Sequence, residues 1–310
     1  LKALITGVSG FVGTHLSELL LQNNYEVFGL SRSQPQNKDI IFTSCDINNA
    51  DLVKATLERI KPDEIYHLSG AAFIPHSYEK PLEAYHTIVN GTLSLYEGIR
   101  QLGLDSKVLF VGSAEVYGEG IERPFDETDL LHPSNPYAGA KSCADMISEQ
   151  YFRTYGMNII RTRPFNHTGP GQSSDFVCSS FAMQIAKLEK QGEQAIGVGN
   201  IEVKRDFLDV RDVVKAYCVL MKKGTLGEAY NICSSKAIPI SEILEYLFSA
   251  SNLEDWNVQV DLLKVRENDA KIRVGNNSKL IHDTNWAPNY NLKETMKDLL
   301  HYWRERLRSL

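Results

Sequence analysis

The stretch Thr6–Gly13, TGVSGFVG, sets Gly7, Gly10 and Gly13 three residues apart, between the apolar run KALIT and an amphipathic pattern running from about Phe11 to Gln22. Glycine lets the backbone turn tightly and approach a bound group closely, and the free amides at a helix start favour an anion. After a strand and before a helix, this spacing predicts a cradle for the diphosphate of a dinucleotide.

The same alternation continues outward from that turn. YEVFGL, EIYHLS, KVLFVG and NIIRTR read as short buried strands. Between them lie helical patterns around Asp51 to Ile60, from about Pro81 to Leu102 and from about Pro136 to Tyr155. Strands alternating with helices predict βαβ units, whose right-handed crossovers build a parallel sheet. The fold class expected is α/β: a Rossmann-type doubly wound parallel sheet with a smaller C-terminal α/β lobe for substrate. After RTRPFNHTGPGQ the regularity breaks into Gly, Pro, Asn and Gln, where a substrate lobe would begin. FLDVRDVVKAYCVLMKK followed by EAYNIC then reads as one more helix and strand returning to the sheet. The expected division is residues 1–166 plus about 205–235 for the dinucleotide, and about 167–204 plus 236–310 for the substrate.

Composition narrows the class of partner. A net charge of -6 over 310 residues offers no basic field for nucleic acid, and no run approaches a membrane span. The five cysteines are odd in number, scattered and never in a C-x-x-C pair, so neither a disulfide framework nor a zinc site is indicated. A cytoplasmic location is expected, with a small-molecule substrate and neither nucleic acid nor membrane as partner. His67, His76 and His167 read as structural or hydrogen-bonding groups, since no i,i+4 His pair or acidic cluster accompanies them, and no metal site is expected.

The second strand ends FGLSR, where an acid would hold a free ribose 2'-hydroxyl. Ser31 and Arg32 stand there instead, and a hydroxyl with a guanidinium suits a 2'-phosphate, which favours NADP(H). The other reading of Arg32 is a solvated loop charge. Asp46 ends the next apolar run and reads equally as an adenine contact or a turn aspartate.

The chemistry concentrates in two further stretches. NPYAGAKS places Tyr137 and Lys141 one helical turn apart, behind Asn135 as a candidate cap and Pro136 at the first helical position. A phenol is a poor acid-base catalyst near neutral pH, and the expectation is that the cation beside it lowers its pKa. Such a pair exchanges a proton with a carbonyl or alcohol oxygen while hydride moves to or from nicotinamide. VGSAEVYGEG, at the end of the preceding strand, adds Ser113, Glu115 and Tyr117.

With these residues the chain resembles the extended short-chain dehydrogenase/reductases that act on nucleotide sugars. TGVSGFVG, HLSGAA from His67, VNGT from Val89, GSAEVYG, NPYAGAK and RPFN from Arg163 carry the likeness over essentially the whole length. The resemblance implies that Ser113, Tyr137 and Lys141 are the catalytic triad and Asn90 the structural asparagine. It implies a cofactor site of Gly7, Gly10, Phe11, Val12, Gly13, Ser31, Arg32, Asp46, Ile47, Leu68, Ser69 and Gly70, together with Tyr137 and Lys141. It also implies a homodimer through the helices beginning near Pro81 and Pro136.

RPFNHTGPGQSSDFV, VGNIEVKRDFLDVRD and KVRENDAKIRVGNNSKL narrow the likeness to the GDP-mannose branch, and within it to reductases that act on GDP-4-keto-6-deoxymannose to give GDP-rhamnose or its C4 epimer. The 4,6-dehydratases of that branch usually continue FNH with a charged stretch, where this chain reads Thr168, Gly169, Pro170, Gly171, Gln172. Ser77, Asn166, Val177, Lys187, Arg205, Arg266 and Asp269 are the substrate contacts implied. The Arg266 motif departs from the branch's Arg-Pro-x-Glu, with proline lost and glutamate shortened to Asp269. Glu115 matches the base that a dehydratase uses at C5, whereas a reductase needs only Tyr137 as proton donor and Ser113 to polarise the ketone. The expected activity is NADPH-dependent C4 reduction. The alternatives are GDP-mannose 4,6-dehydration, another nucleotide-sugar epimerase or reductase, and a non-catalytic NADP-sensing regulator.

Overall fold

The computed structural model describes residues 1–70, 73–120, 123–191, 195–261 and 270–308. The first half builds β1 (Lys2–Thr6), α1 (Phe11–Gln22), β2 (Glu26–Ser31), β3 (Ile41–Ser44), α2 (Ala50–Ile60), β4 (Glu64–His67), α3 (Ile74–Glu79), α4 (Pro81–Tyr85), α5 (Gly91–Leu102), β5 (Lys107–Val111), α6 (Pro136–Tyr155) and β6 (Ile159–Pro164). A π-turn, His86–Asn90, joins α4 to α5, so the single helix expected from Pro81 to Leu102 is continuous but locally underwound. The sequence reading did not include α3, a six-residue helix too short to show a period.

The second half adds β7 (Asn166–Thr168), α7 (Val177–Gln191), β8 (Ile196–Val198), β9 (Lys204–Asp209), α8 (Val210–Lys223), β10 (Ala229–Ile232), β11 (Ala237–Pro239), α9 (Ile240–Ser249), β12 (Val258–Val260), β13 (Ile272–Arg273), α10 (Ser278–Thr284) and α11 (Leu292–Arg308).

Seven strands form one parallel sheet in the order β10-β6-β5-β4-β1-β2-β3. The order reverses between β1 and β4, and in such sheets a ligand sits in the crevice beyond the carboxyl ends of the strands at that point. Both faces are covered: one core packs α1 and α8 residues such as Leu16, Leu20, Val213 and Tyr217 on the sheet, and another packs Val53, Leu95, Ile99 and Ala144 from α2, α5 and α6. This double burial explains why β1, β4 and β6 are buried at nearly every position rather than at alternate ones.

The polar exceptions in β6 are paired. Arg161 and Arg163 reach Asp145 of α6 at 2.8 and 3.0 Å, which anchors the helix carrying Tyr137 to the sheet. A smaller sheet runs β11-β9-β13, with β7 also pairing β9, and β8 pairs β12 beside it. α7, α9 and α11 close a separate apolar core around Phe181, Ile185, Leu244, Leu299 and Trp303.

Candidate active site

Residues 7–13 turn as the glycine spacing predicts. Gly7 has φ +74, and a Cβ at Gly13 would lie 2.5 Å from the Gly7 carbonyl oxygen, so no side chain fits there. Gly10 caps α1 without a side chain, and the first turn holds no acid, which leaves the helix-start amides and their partial positive charge to a diphosphate. Phe11 and Val12 open the helix, with the Phe11 ring stacked on His167 at 6.3 Å. The described residues therefore fit a dinucleotide: the cradle would hold the diphosphate.

At the end of β2, Ser31 is buried with its hydroxyl donating to the Ser33 carbonyl at 2.7 Å. Arg32 is exposed and its guanidinium makes no hydrogen bond among the described residues, so it is available to a 2'-phosphate. Asp46 accepts from the Asn48 amide and side chain, both at 3.0 Å, which makes it the turn aspartate while leaving it exposed at the site's edge. Ile47 is buried against Gly91. Leu68, Ser69 and Gly70 follow β4 at the switch point. The Ser69 amide donates to Thr6 Oγ1 at 3.2 Å, and Gly70, at φ +152, would place a Cβ 3.5 Å from Lys141 Nζ.

The catalytic stretch is built by ordinary helix chemistry. Asn135 Oδ1 accepts from the Ala138 amide at 2.8 Å, Pro136 stands in the first turn, and Gly156 closes α6 at φ 67. Tyr137 and Lys141 are both buried on one face of that helix. Ser113 caps the short 3-10 turn Ala114–Tyr117 after β5, accepting from the Glu115 amide at 3.2 Å. Asn90 ends the π-turn and is exposed.

The electrostatics differ from the sequence expectation in one respect. Burial pushes the Tyr137 phenol up to about 12, offset in part by Ser113 and reinforced by the Glu115 charge. Lys141 does not lower it: the ammonium donates to the Val111 carbonyl at 2.8 Å, and burial brings its own pKa down to about 8. Without cofactor, desolvation is the largest influence on the phenol.

His67 is buried between Thr6 Oγ1 at 2.8 Å and Thr92 Oγ1 at 3.0 Å, and burial, with the Lys141 charge nearby, holds its pKa down to about 3. It is thus a neutral strut under the site. His167 holds the Phe165 carbonyl at 2.9 Å, and His76 lies 3.3 Å from Glu83.

The implied substrate residues are more scattered. Ser77 is buried, donating to the Ile74 carbonyl at 2.7 Å and accepting from the Tyr137 amide at 3.2 Å, so its hydroxyl serves the start of α6. Asn166 donates to the Asp206 carbonyl at 3.2 Å. Arg205 is buried on β9, where it donates to the Lys204 carbonyl at 2.8 Å. The neighbouring carboxylates are held by other groups: Asp206 by Ser234, Ser235 and Gly275, and Asp209 by Arg211 and Thr295. Val177 opens α7 and Lys187 lies further along it, half-buried; among the described residues neither bonds Ser113, Tyr137 or Lys141. Arg266 and Asp269 lie outside the described residues.

One residue in contact with the candidate site was missed. Arg273 on β13 pairs its guanidinium with Glu115 Oε1, and Asn135 Nδ2 reaches Glu115 Oε2 at 3.3 Å. No local sequence signal marks it, because its partner lies 158 residues away.

A diphosphate cradle at the switch point, with a serine, a tyrosine and a lysine gathered beside it, defines a short-chain dehydrogenase/reductase of the extended type. The GDP-mannose 4,6 dehydratase family matches residues 4–299, and the chain belongs to it. Among curated relatives, the GDP-6-deoxy-D-mannose reductase of Pseudomonas aeruginosa is 34% identical over 99% of this chain and 98% of its own. The solved structure of RMD from Pseudomonas aeruginosa complexed with NADPH superposes with a TM-score of 0.86 at 30% identity, covering 98% of this chain and 99% of that one. UDP-glucose 4-epimerase from Thermotoga maritima with UDP-glucose gives 0.91 at 26% identity, over 99% and 100% of the two chains.

Proposed function

We propose that this protein reduces the C4 ketone of a GDP-4-keto-6-deoxyhexose with NADPH, converting GDP-4-keto-6-deoxymannose to GDP-rhamnose or its C4 epimer. The observation that carries this reading is the state of Glu115. Its two carboxylate oxygens accept from Arg273 and Asn135, so the group that would remove a C5 proton in a dehydratase is engaged elsewhere. Likeness to a GDP-6-deoxy-D-mannose reductase over nearly the full length supports the same substrate.

NADPH, when bound on the cradle of Gly7, Gly10 and Gly13 with Arg32 at its 2'-phosphate, supplies the hydride. Ser113 donates to the ketone oxygen and polarises the carbonyl. Tyr137 gives its proton to that oxygen as the alkoxide forms, and with its pKa up at about 12 the phenol is in the acid form at neutral pH, as a donor must be. Lys141 holds positive charge beneath the site. Arg205 and Asn166, with Lys187 and Val177, border the lobe where the nucleoside diphosphate would lie, and Arg266 and Asp269 are proposed for its ribose and base.

In this reading residues 1–166 plus about 205–235 serve the dinucleotide, and 167–204 plus 236–310 the sugar nucleotide. Two copies pair through α4 to α6, whose outer faces leave Leu82 83% and Met146 63% exposed. Among the described residues no helix is long and apolar enough to cross a membrane.

The test is to incubate the protein with GDP-4-keto-6-deoxymannose and NADPH, and separately with GDP-mannose and NADP+, and to identify the sugars by NMR. A 6-deoxyhexose reduced at C4 in the first tube supports the proposal. A 4-keto-6-deoxy product in the second, with nothing in the first, assigns the dehydratase instead.

A further inference from the structure

A carboxylate two residues from the serine that polarises a ketone is a hazard as well as a resource. The carbon next to a ketone carries an acidic hydrogen, and a free carboxylate within reach would remove it. Glu115 stands in that place: its charge reaches the Tyr137 phenol and helps to raise its pKa.

Arg273 answers that carboxylate with more than a surface pairing. The guanidinium is 9% exposed and the Glu115 side chain 17%, so water screens the pair poorly. The fork is also fixed: Nε and Nη2 donate to the Gly118 carbonyl at 3.1 and 2.9 Å while Nη1 takes Glu115 Oε1. Both contacts fall on the loop after β5, whereas Arg273 belongs to β13, which pairs with β9 in the smaller sheet. Arg273 stands opposite Arg205 in that pairing, so the contact ties the loop after β5 to the smaller sheet.

We infer that Arg273 is a positioning residue that holds Glu115 as a fixed hydrogen-bond acceptor and so keeps it from acting as a base at C5 of the keto sugar. The inference rests on the proposed ketone substrate. In the suppressed reaction the C5–H bond breaks, the proton passes to Glu115, and the electron pair moves to the C4 oxygen as an enolate held by Ser113 and Tyr137. The substrate's C6 is a methyl group with nothing to expel, so the proton returns and the only trace is exchange with solvent. No co-reactant is needed.

The experiment uses the full chain saturated with NADP+, which completes the site without a hydride to give, and GDP-4-keto-6-deoxymannose in D2O. Loss of the C5 proton is followed by NMR. Wild type should exchange at the background rate. Arg273→Met, and Arg273→Gln, which keeps an amide donor for the Gly118 carbonyl, should exchange faster by on the order of a hundredfold. Adding Glu115→Gln to either should return exchange to background, a result that mere loosening of the loop would not give.

The inference is overturned if neither variant exchanges faster while still binding NADP+, or if the gain survives Glu115→Gln. It is overturned on wild type alone if the unaltered enzyme exchanges C5 as fast as it reduces C4 with NADPH. Ketone reduction is read in that separate assay, so failure of the proposed reaction appears there and not in the exchange comparison.

Discussion

Lys141→Met removes a charge from the driest part of the site while keeping the length of the side chain. In the folded protein burial lowers this lysine from 10.5 to about 8. At ~1.4 kcal/mol per pKa unit that is a penalty of about 3 kcal/mol for keeping it protonated. The sign follows from proton counting: between the folded and unfolded pKa values the unfolded chain holds the proton and the folded one does not, so stability rises with pH across that window. It is lost again as pH falls through the folded value. The gap in unfolding free energy, wild type minus Lys141→Met, should therefore grow by about 2–3 kcal/mol between pH 7 and pH 10. Loss of the 2.8 Å bond to the Val111 carbonyl adds a cost of about 1–3 kcal/mol to the variant that does not vary with pH. Urea unfolding of the cofactor-free protein at the two pH values measures the change, and other titrating groups cancel in the difference. A gap that stays constant would refute the claim that the protein stores this charge at a cost to its own stability.

Three further outcomes follow from the same geometry. Arg32→Asp should weaken NADPH by about tenfold or more and favour NADH, since it trades a charge-assisted phosphate contact for a ribose acceptor; unchanged NADPH affinity by fluorescence titration would contradict the assignment. Tyr137→Phe should cost ketone reduction a factor of ~100 or more, while Glu115→Gln costs less than about tenfold, and the reverse order in steady-state kinetics would make Glu115 the essential proton carrier. The protein should be a dimer by light scattering at micromolar concentration, and Leu82→Glu, at a position 83% exposed in the single chain, should yield monomer.

Much of this was legible because the local signals were strong. α1 and α6 begin and end where the sequence reading puts them, since Gly10 opens the first and Asn23 closes it, and a capping asparagine, a proline and a closing glycine frame the second. Six of the seven strands of the large sheet followed from buried runs of strand length, and the edge strand β3 was read only as an apolar run. In the second half the sequence offered no such alternation: β7, β8, β11 and β12 are three residues each, shorter than any periodicity test, and α7, α9 and α11 stabilise one another through side chains far apart in sequence. Ser113, Tyr137 and Lys141 were legible as residue types at helical and strand-end spacing. The Lys141 bond to the Val111 carbonyl was not, because spacing gives the shared face and not the burial that governs both pKa values. Arg273 was invisible for a topological reason, since only the folded chain brings β13 to the loop after β5.

The late return of β10 has a consequence for synthesis. β6 is entirely buried, and one of its edges is covered only by residues 229–232, made after the first half of the smaller lobe. A nascent chain therefore carries an open strand edge from residue 164 until residue 229 is made, the kind of edge that invites pairing with other chains. A fragment ending at residue 166 would keep that edge permanently, so it should aggregate where the whole chain stays in solution. The seven-stranded sheet thus cannot be completed until residues 229–232 have been made.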